Sequence, residues 1–350
     1  MVDDAGQFFI TSSYSRIIAR ELRLQERDLP GLLRGTGLPL QVLQPGDQTR
    51  LSGSQQLRII RNARAFSSSP QLGLQLGRQL QPSAHGPIGY LALSSPDLVT
   101  ALQALRDYLP LRIAFAQLDL ELGAHWLHCT LELRLDAPTE ERRMLLECFA
   151  LLLQALVESV LGKPPAGARF EFAFPAPDYR ATYRDYFHVP TAFSCAQSRL
   201  LLPAPLAYTA NASGDPESYR LARDLCQRLL AQVPPRSLST TDRVRRLLLS
   251  MPPGAATEEE VARALFVSKR TLARRLAREG SGYRRLREQL LAELAARHLQ
   301  DSRLSVDSVA ALLGYHDAAN FRRAFHRWFG MAPRDFRRDA RGDEDCCGTG

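Results

Sequence analysis

Arg270, Arg274 and Arg278 follow one another at intervals of four, and Arg323 and Arg327 repeat that interval in a second stretch. A guanidinium is a planar fork of donors, always charged, that matches guanine O6 and N7 or a pair of phosphate oxygens. At about 100° per residue, an interval of four keeps such side chains on one face of a helix. Leu272 with Leu276, and Phe321 with Phe325, fall on the opposite face, where they anchor the helix to a protein core.

Both stretches are embedded in the same larger unit. The first copy is TEEEVARALFVSKRTLARRLAREG, residues 257–280, and the second is SVDSVAALLGYHDAANFRRAFHRWFG, residues 305–330. Val261-Ala262 corresponds to Val309-Ala310, Leu265 to Leu313, Leu272 to Phe321 and Leu276 to Phe325, with one more residue in the second turn. Thr257 and Glu260 form a capping box that opens the first helix. Ser268 and Asp317 are caps for the second helix of each copy. Helix, tight turn, helix is the helix-turn-helix, whose second helix enters the major groove of DNA. On this reading Arg270, Arg274 and Arg323 reach base edges. Thr271, Asn320 and Arg322 flank them on bases or phosphates, and Arg278 and Arg327 bind phosphate. Ser268 and Ala319 complete the two faces.

Between the copies, Gly282 to Gln300 reads as one helix with Leu286, Leu290, Leu294, Ala295 and His298 on a connected face. At ~1.5 Å per residue it spans about 28 Å. With the offset of the two units this approaches ~34 Å, one turn of B-DNA, so one chain is able to reach two successive major grooves. Charge agrees with a polyanionic partner. The net charge is +8, and residues 236–350 hold 22 basic against 15 acidic side chains, which leaves the remainder nearly balanced. A localised cationic excess suits nucleic acid.

The chain is 350 residues long, which suits two domains. QVPPRSLSTT, residues 232–241, is polar, carries two prolines and precedes the change in charge, so it reads as the linker. The expectation is an α+β domain over 1–231, an all-α domain with two helix-turn-helix units over 242–340, and a tail over 341–350. In the first domain, helices are expected over 52–66 and 97–109, and strands over 112–117, 118–122 and 128–135. A long helix from Pro138 to Leu161, a strand over 169–174, a helix over 179–187, a strand over 198–202 and a helix over 215–231 follow. The 144–161 run is about the length of a membrane span. Glu147, Gln154 and Glu158 mark one stripe of it, which reads as an amphipathic helix packed in a soluble domain or at a subunit contact.

Other chemistry is sparse. Cys129, Cys148, Cys195, Cys226, Cys346 and Cys347 contain no Cys-x-x-Cys pair and read as cytosolic thiols. His125, His128 and Cys129 are near neighbours, but on a strand the two histidines point to opposite faces, so no metal site is expected. No phosphate loop, nucleophile elbow or dinucleotide fingerprint occurs, so neither an enzymatic activity nor a cofactor is expected. The N-terminus has no secretory pattern. Tyr179, Arg180, Tyr183, Arg184 and Tyr186 make an aromatic and basic segment that packs on the sheet or contacts an effector or subunit.

Residues 257–338 resemble the AraC/XylS-type DNA-binding domain. Gly314-Tyr315, Phe321-x-x-x-Phe325, Phe329-Gly330 and Pro333-x-x-Phe336-Arg337 carry the resemblance, together with SKRTLARRLAREG in the first unit. Two positions depart from the pattern. Phe266 stands in the first turn where such domains often have Gly, and Leu291 stands in the linker helix where Arg is common. HGPIGYLALSSPDLVTAL (85–102) and FEFAFPAPDYRATYRDYF (170–187) are similar to the arabinose-binding-like domain attached to one branch of that family. The resemblance implies a cytoplasmic transcription activator, a homodimer that binds double-stranded promoter DNA and works with RNA polymerase, with no membrane association. Its N-terminal domain would sense a small-molecule effector or dimerise.

Overall fold

The computed structural model describes residues 9–67, 69–232, 239–251, 254, 256–301, 304–315 and 317–342. The chain folds as two compact units, one of residues 1–120 and 126–237, the other of residues 121–125 and 238–350. The first is α+β. Strand β1 (Phe9–Thr11) pairs antiparallel with β2 (Arg50–Ser52), and helices α1 (Ser13–Glu21), α2 (Leu29–Leu32) and α3 (Gly53–Phe66) surround them. Ser52 and Gln55 form the capping box that starts α3. Helices α4 (Leu72–Gln79), α5 (Pro87–Leu93) and α6 (Leu98–Tyr108) precede the main sheet. That sheet has the order β3-β4-β7-β5-β6. Its strands are β3 (Ala116–Leu122), β4 (Trp126–Leu133), β5 (Arg169–Glu171), β6 (Thr191–Ala192) and β7 (Arg199–Pro203). β7 runs antiparallel to β4 and β5, while β5 and β6 run parallel.

Several elements differ from the sequence expectation. Residues 112–117 are not a separate strand: Leu109–Leu111 is a 3-10 turn and β3 starts at Ala116. Ahead of β3 the segment still lies against β1: Ile113 forms an isolated antiparallel bridge with Ile10, and the Ala114 amide donates to the Phe9 carbonyl at 2.8 Å, while Ala114 and Phe115 are buried. β5 stops at Glu171, although Phe172 and Phe174 continue inward as an aromatic stack with Tyr183, Phe187 and Phe193. The 179–187 segment is a 3-10 run over Arg180–Asp185 rather than an α-helix.

Helix α7 (Thr139–Leu161) is the backbone of this unit and ends on Gly162 in the left-handed conformation, φ +69°. By length and composition it is the described helix able to cross a membrane, yet most of it is buried in protein. Its polar stripe has a specific use. Glu147 accepts hydrogen bonds from Tyr179 (2.8 Å) and Tyr183 (2.6 Å). Gln154 bonds the Tyr186 carbonyl and the His188 amide, and Glu158 meets His188 Nδ1 at 2.7 Å. The stripe docks the 179–188 segment. Beside it, Gly73 and Gly77 of α4 let the two helices touch: a Cβ at Gly77 would lie 3.0 Å from the Cα of Cys148. Helix α8 (Pro216–Gln232) closes the unit, with Pro216 in its first turn.

The expected linker is trimmed at both ends. Gln232 still belongs to α8, and Ser239 with Asp242 forms the capping box of α9 (Thr240–Ser250). Residues 233–238, like Cys346 and Cys347, lie outside the described residues. The second unit is all α: α9, α10 (Glu258–Ala264), α11 (Lys269–Arg278), α12 (Tyr283–Asp301), α13 (Val306–Leu312), α14 (Ala318–Phe329) and α15 (Pro333–Gly342). Helix α15 runs past 341, where the tail was expected to begin.

Candidate nucleic-acid interface

Each helix-turn-helix is positioned by its own core. In the first, Leu272 and Leu276 of α11 pack with Val261 and Ala262 of α10, Val244 and Leu248 of α9, and Leu286 and Leu290 of α12. Ala262 is small where α10 and α11 cross, and buried. In the second, Phe321 and Phe325 of α14 are fully buried and stack with Tyr315, Phe329 and Phe336. Ala310 is buried in the position equivalent to Ala262.

The caps form as the sequence requires. Thr257 and Glu260 exchange hydrogen bonds at the start of α10. Ser268 Oγ accepts the Thr271 amide at 3.1 Å, and Asp317 Oδ1 accepts the Ala319 amide at 2.8 Å. The two turns share a backbone device. Gly314 has φ +77°, and Phe266 adopts φ +57° at the matching place. A left-handed conformation costs a residue with a Cβ roughly 1–2 kcal/mol, and Phe266 recovers little by burial because it is 95% exposed.

With the two inward faces buried, the assigned residues emerge on the outer faces. Ser268, Arg270, Arg274, Arg278, Ala319, Asn320, Arg322, Arg323 and Arg327 are exposed, and Thr271 is half-buried. Their partners differ. Arg270, Arg274 and Arg278 make no ion pair with any described residue. Arg322 pairs with Asp307 at 2.6 Å, and Arg327 with Glu288 at 3.2 Å. Arg323 donates to Asn320 Oδ1 at 2.5 Å. Ser268 spends its hydroxyl on the cap and on Thr271 Oγ1.

Four further residues hold the platform, and sequence reasoning gave none of them that role. Glu279 accepts the Thr240 and Thr241 amides at 2.9 and 2.8 Å, which ties the end of α11 to the start of α9. Such carboxylates favour a helix N-terminus. Gly254, φ +77°, approaches so closely that a Cβ would lie 2.6 Å from the Leu313 carbonyl oxygen. Arg287 donates to the Gly254 carbonyl at 3.1 Å, so Gly254 bridges α12 and the second turn. Arg337 reaches the Leu299 and Leu304 carbonyls, which secures α15 to the end of α12. An isolated Gly or a charge three helices away from its partner leaves no periodic trace in sequence.

Helix α12 also exceeds its expected role. Leu286, Leu290 and Ala295 are buried as expected, but Leu291, Ala296 and Leu299 are buried too, and Leu294 and His298 only half-buried. The helix packs against elements of both helix-turn-helix units, so two apolar faces replace one stripe. Leu291, one of the two departures, is an interior residue here, at a position where a charge would have to be desolvated. At the third candidate cluster, His128 lies 3.3 Å from Arg199, while Cys129 is fully buried with its thiol pushed up by burial. The arrangement is strand packing.

Comparison with known proteins gives two family matches. Residues 27–210 match the arabinose-binding domain of AraC transcription regulators, and residues 261–339 match a helix-turn-helix domain. The chain is 33% identical to the ornithine utilization regulator of Pseudomonas aeruginosa over 79% of its own length and 81% of that protein. It is 28% identical to the transcriptional regulator VirS of Mycobacterium tuberculosis, over 80% of this chain and 82% of that one. The crystal structure of the transcriptional regulator CdpR from Pseudomonas aeruginosa aligns over 78% of this chain and 88% of that one, with 27% identity and a TM-score of 0.41.

Proposed function

The chain belongs to the AraC family of transcription regulators with an arabinose-binding-like N-terminal domain, and from that premise we propose that it reads promoter DNA through both recognition helices. α11 and α14 enter successive major grooves of one duplex. Arg270, Arg274 and Arg323 take guanine edges. Thr271, Asn320 and Arg322 flank them, Arg278 and Arg327 hold phosphates, and Ser268 and Ala319 line the entry of each helix. The observation that carries the reading is the repeat of one outward pattern over two separately built cores. In each, a buried pair at an interval of four, Leu272 and Leu276 or Phe321 and Phe325, leaves arginines on the opposite face.

The functional division falls near 232–241. The N-terminal domain dimerises the protein and senses a small molecule, while the C-terminal domain binds DNA and meets RNA polymerase as an activator. The cytoplasm, where the chromosome lies, is its place of action. The relatives are regulators rather than enzymes, and no residue here is given a catalytic role.

The test is a titration against an operator found by genome-wide mapping of bound DNA. Arg274→Ala and Arg323→Ala should each cost about 1–3 kcal/mol at the operator and little on random DNA. Wild-type affinity in both variants would remove the assignment.

A further inference from the structure

The first unit contains a polar cavity of about 240 Å³ between α3, α4, α7 and the 3-10 segment, walled by Arg64, Ser69, Glu140, Arg143, Glu147 and Tyr179. Exposure falls along it. Arg64 and Glu140 are 44% and 47% exposed, while Glu147 is only 1% exposed. The cavity therefore has an open mouth and a buried end.

The buried end is chemically incomplete. Glu147 Oε1 takes both tyrosine hydroxyls, from Tyr179 and Tyr183. Glu147 Oε2 is buried with no hydrogen-bond partner. A buried carboxylate oxygen without a donor is costly, and an exception of this kind calls for a physical reason. The room for Oε2 is made on purpose by Gly73: a Cβ there would lie 2.1 Å from it. Burial pushes the Glu147 carboxyl above its ordinary range, against the two tyrosine hydrogen bonds and the nearby Arg143, which favour the anion. Glu147 is among the residues that line the cavity, and a donor entering there would reach Oε2 by drawing it away from Gly73.

The mouth offers the opposite charge. Arg143 is committed to Glu140 and lies over the Tyr179 ring. Arg64 has only loose partners, Glu140 and Glu141, each at 3.7 Å, so its fork is open to a better-placed anion. Pro70, Leu72 and Met144 add apolar lining. The lining thus combines an acceptor, apolar side chains and a guanidinium.

We propose that this cavity is the effector site and that it takes a small zwitterion of the amino-acid class, its ammonium group on Glu147 Oε2 and its carboxylate on Arg64. The ammonium supplies the donor that Oε2 lacks, and the carboxylate draws Arg64 from its distant acidic neighbours. The assignment rests on the reading of the N-terminal domain as a sensor and names the chemistry it senses. Both acidic and basic partners come from α3 and α7, so an occupant would stiffen the contact between them.

The experiment is calorimetric titration and thermal melting of the full-length protein with the standard amino acids and L-ornithine as probes. Putrescine is the amine without a carboxylate, succinate the carboxylate without an amine, and arabinose the neutral sugar. At least one amino acid should bind with Kd at or below about 1 mM and raise Tm, with putrescine and succinate each roughly tenfold weaker or worse. Glu147→Gln should weaken that amino acid at least about tenfold, as loss of a charged partner does. Arg64→Ala, on the exposed rim and harmless to folding, should weaken it several-fold. The assignment is overturned if no amino acid binds at about 10 mM, if putrescine or arabinose binds as well as any amino acid, or if neither substitution changes the affinity. Promoter binding by the same preparations is read separately, so that loss of this site leaves the DNA-binding assignment standing or falling on its own.

Discussion

The two helix-turn-helix units are built to one plan and finished differently. The first has an aliphatic core around Leu272 and Leu276, a strained Phe266 in its turn, and three outer arginines with no ion pair among the described residues. The second has an aromatic core around Phe321 and Phe325, a relaxed Gly314, and outer arginines already held by Asp307, Glu288 and Asn320. Stability and readiness are divided between them. The first presents unpaired charge beside a strained turn. The second presents aimed charge that must exchange partners when a duplex arrives. An exposed ion pair contributes only about 0–1 kcal/mol, so the exchange is inexpensive, but it lowers the electrostatic pull of the second helix before contact.

The largest effect that sharpens this contrast is in the cores. Phe325→Ala should destabilise the second unit by about 3–5 kcal/mol, and Leu276→Ala the first by about 2–5 kcal/mol. The check is chemical denaturation, with the aromatic unit expected to lose more. Next come the readers. Arg274→Ala should cost about 1–3 kcal/mol at the operator, while Arg278→Ala should weaken all DNA alike and reduce the salt slope by about one. If Arg278→Ala instead relaxed sequence preference, the split between base and phosphate contacts would be wrong. Swapping the turns follows. Gly314→Ala should destabilise by about 1–2 kcal/mol, and Phe266→Gly should stabilise by up to about 1 kcal/mol, because the relief of left-handed strain is partly offset by glycine's entropy. A loss of DNA binding in Phe266→Gly with melting unchanged would show that the ring is kept for contact. The smallest effect is in the ion pairs. Glu288→Gln and Asp307→Asn should raise DNA affinity by up to about 1 kcal/mol, an increase with no counterpart in the first unit.

Much of the DNA-binding unit was legible because its signals are local. Caps at Thr257, Ser268 and Asp317 need only a few residues of context, and a buried pair at an interval of four fixes which face looks outward. What escaped depends on distant partners. Leu291 and Leu299 break the one-face reading of α12 because that helix serves two cores. The neutralisation of Arg327 by Glu288 joins residues far apart in sequence. In the N-terminal domain, the alternation over 112–117 is real but divided: Ile113 makes an isolated bridge to Ile10 of β1, and the continuous strand starts at Ala116. The stripe Glu147, Gln154 and Glu158 was visible, but its use, to dock residues 179–188, required the fold. The unpartnered Glu147 oxygen has no sequence signature at all.

Methylation interference at guanine N7 on a mapped operator tests the two-helix reading most directly. The account predicts two sensitive guanine clusters on one face of the duplex, about 10 base pairs apart. Arg274→Ala should erase the sensitivity of one cluster and Arg323→Ala that of the other. A single cluster, or two clusters that both survive in both variants, would contradict it.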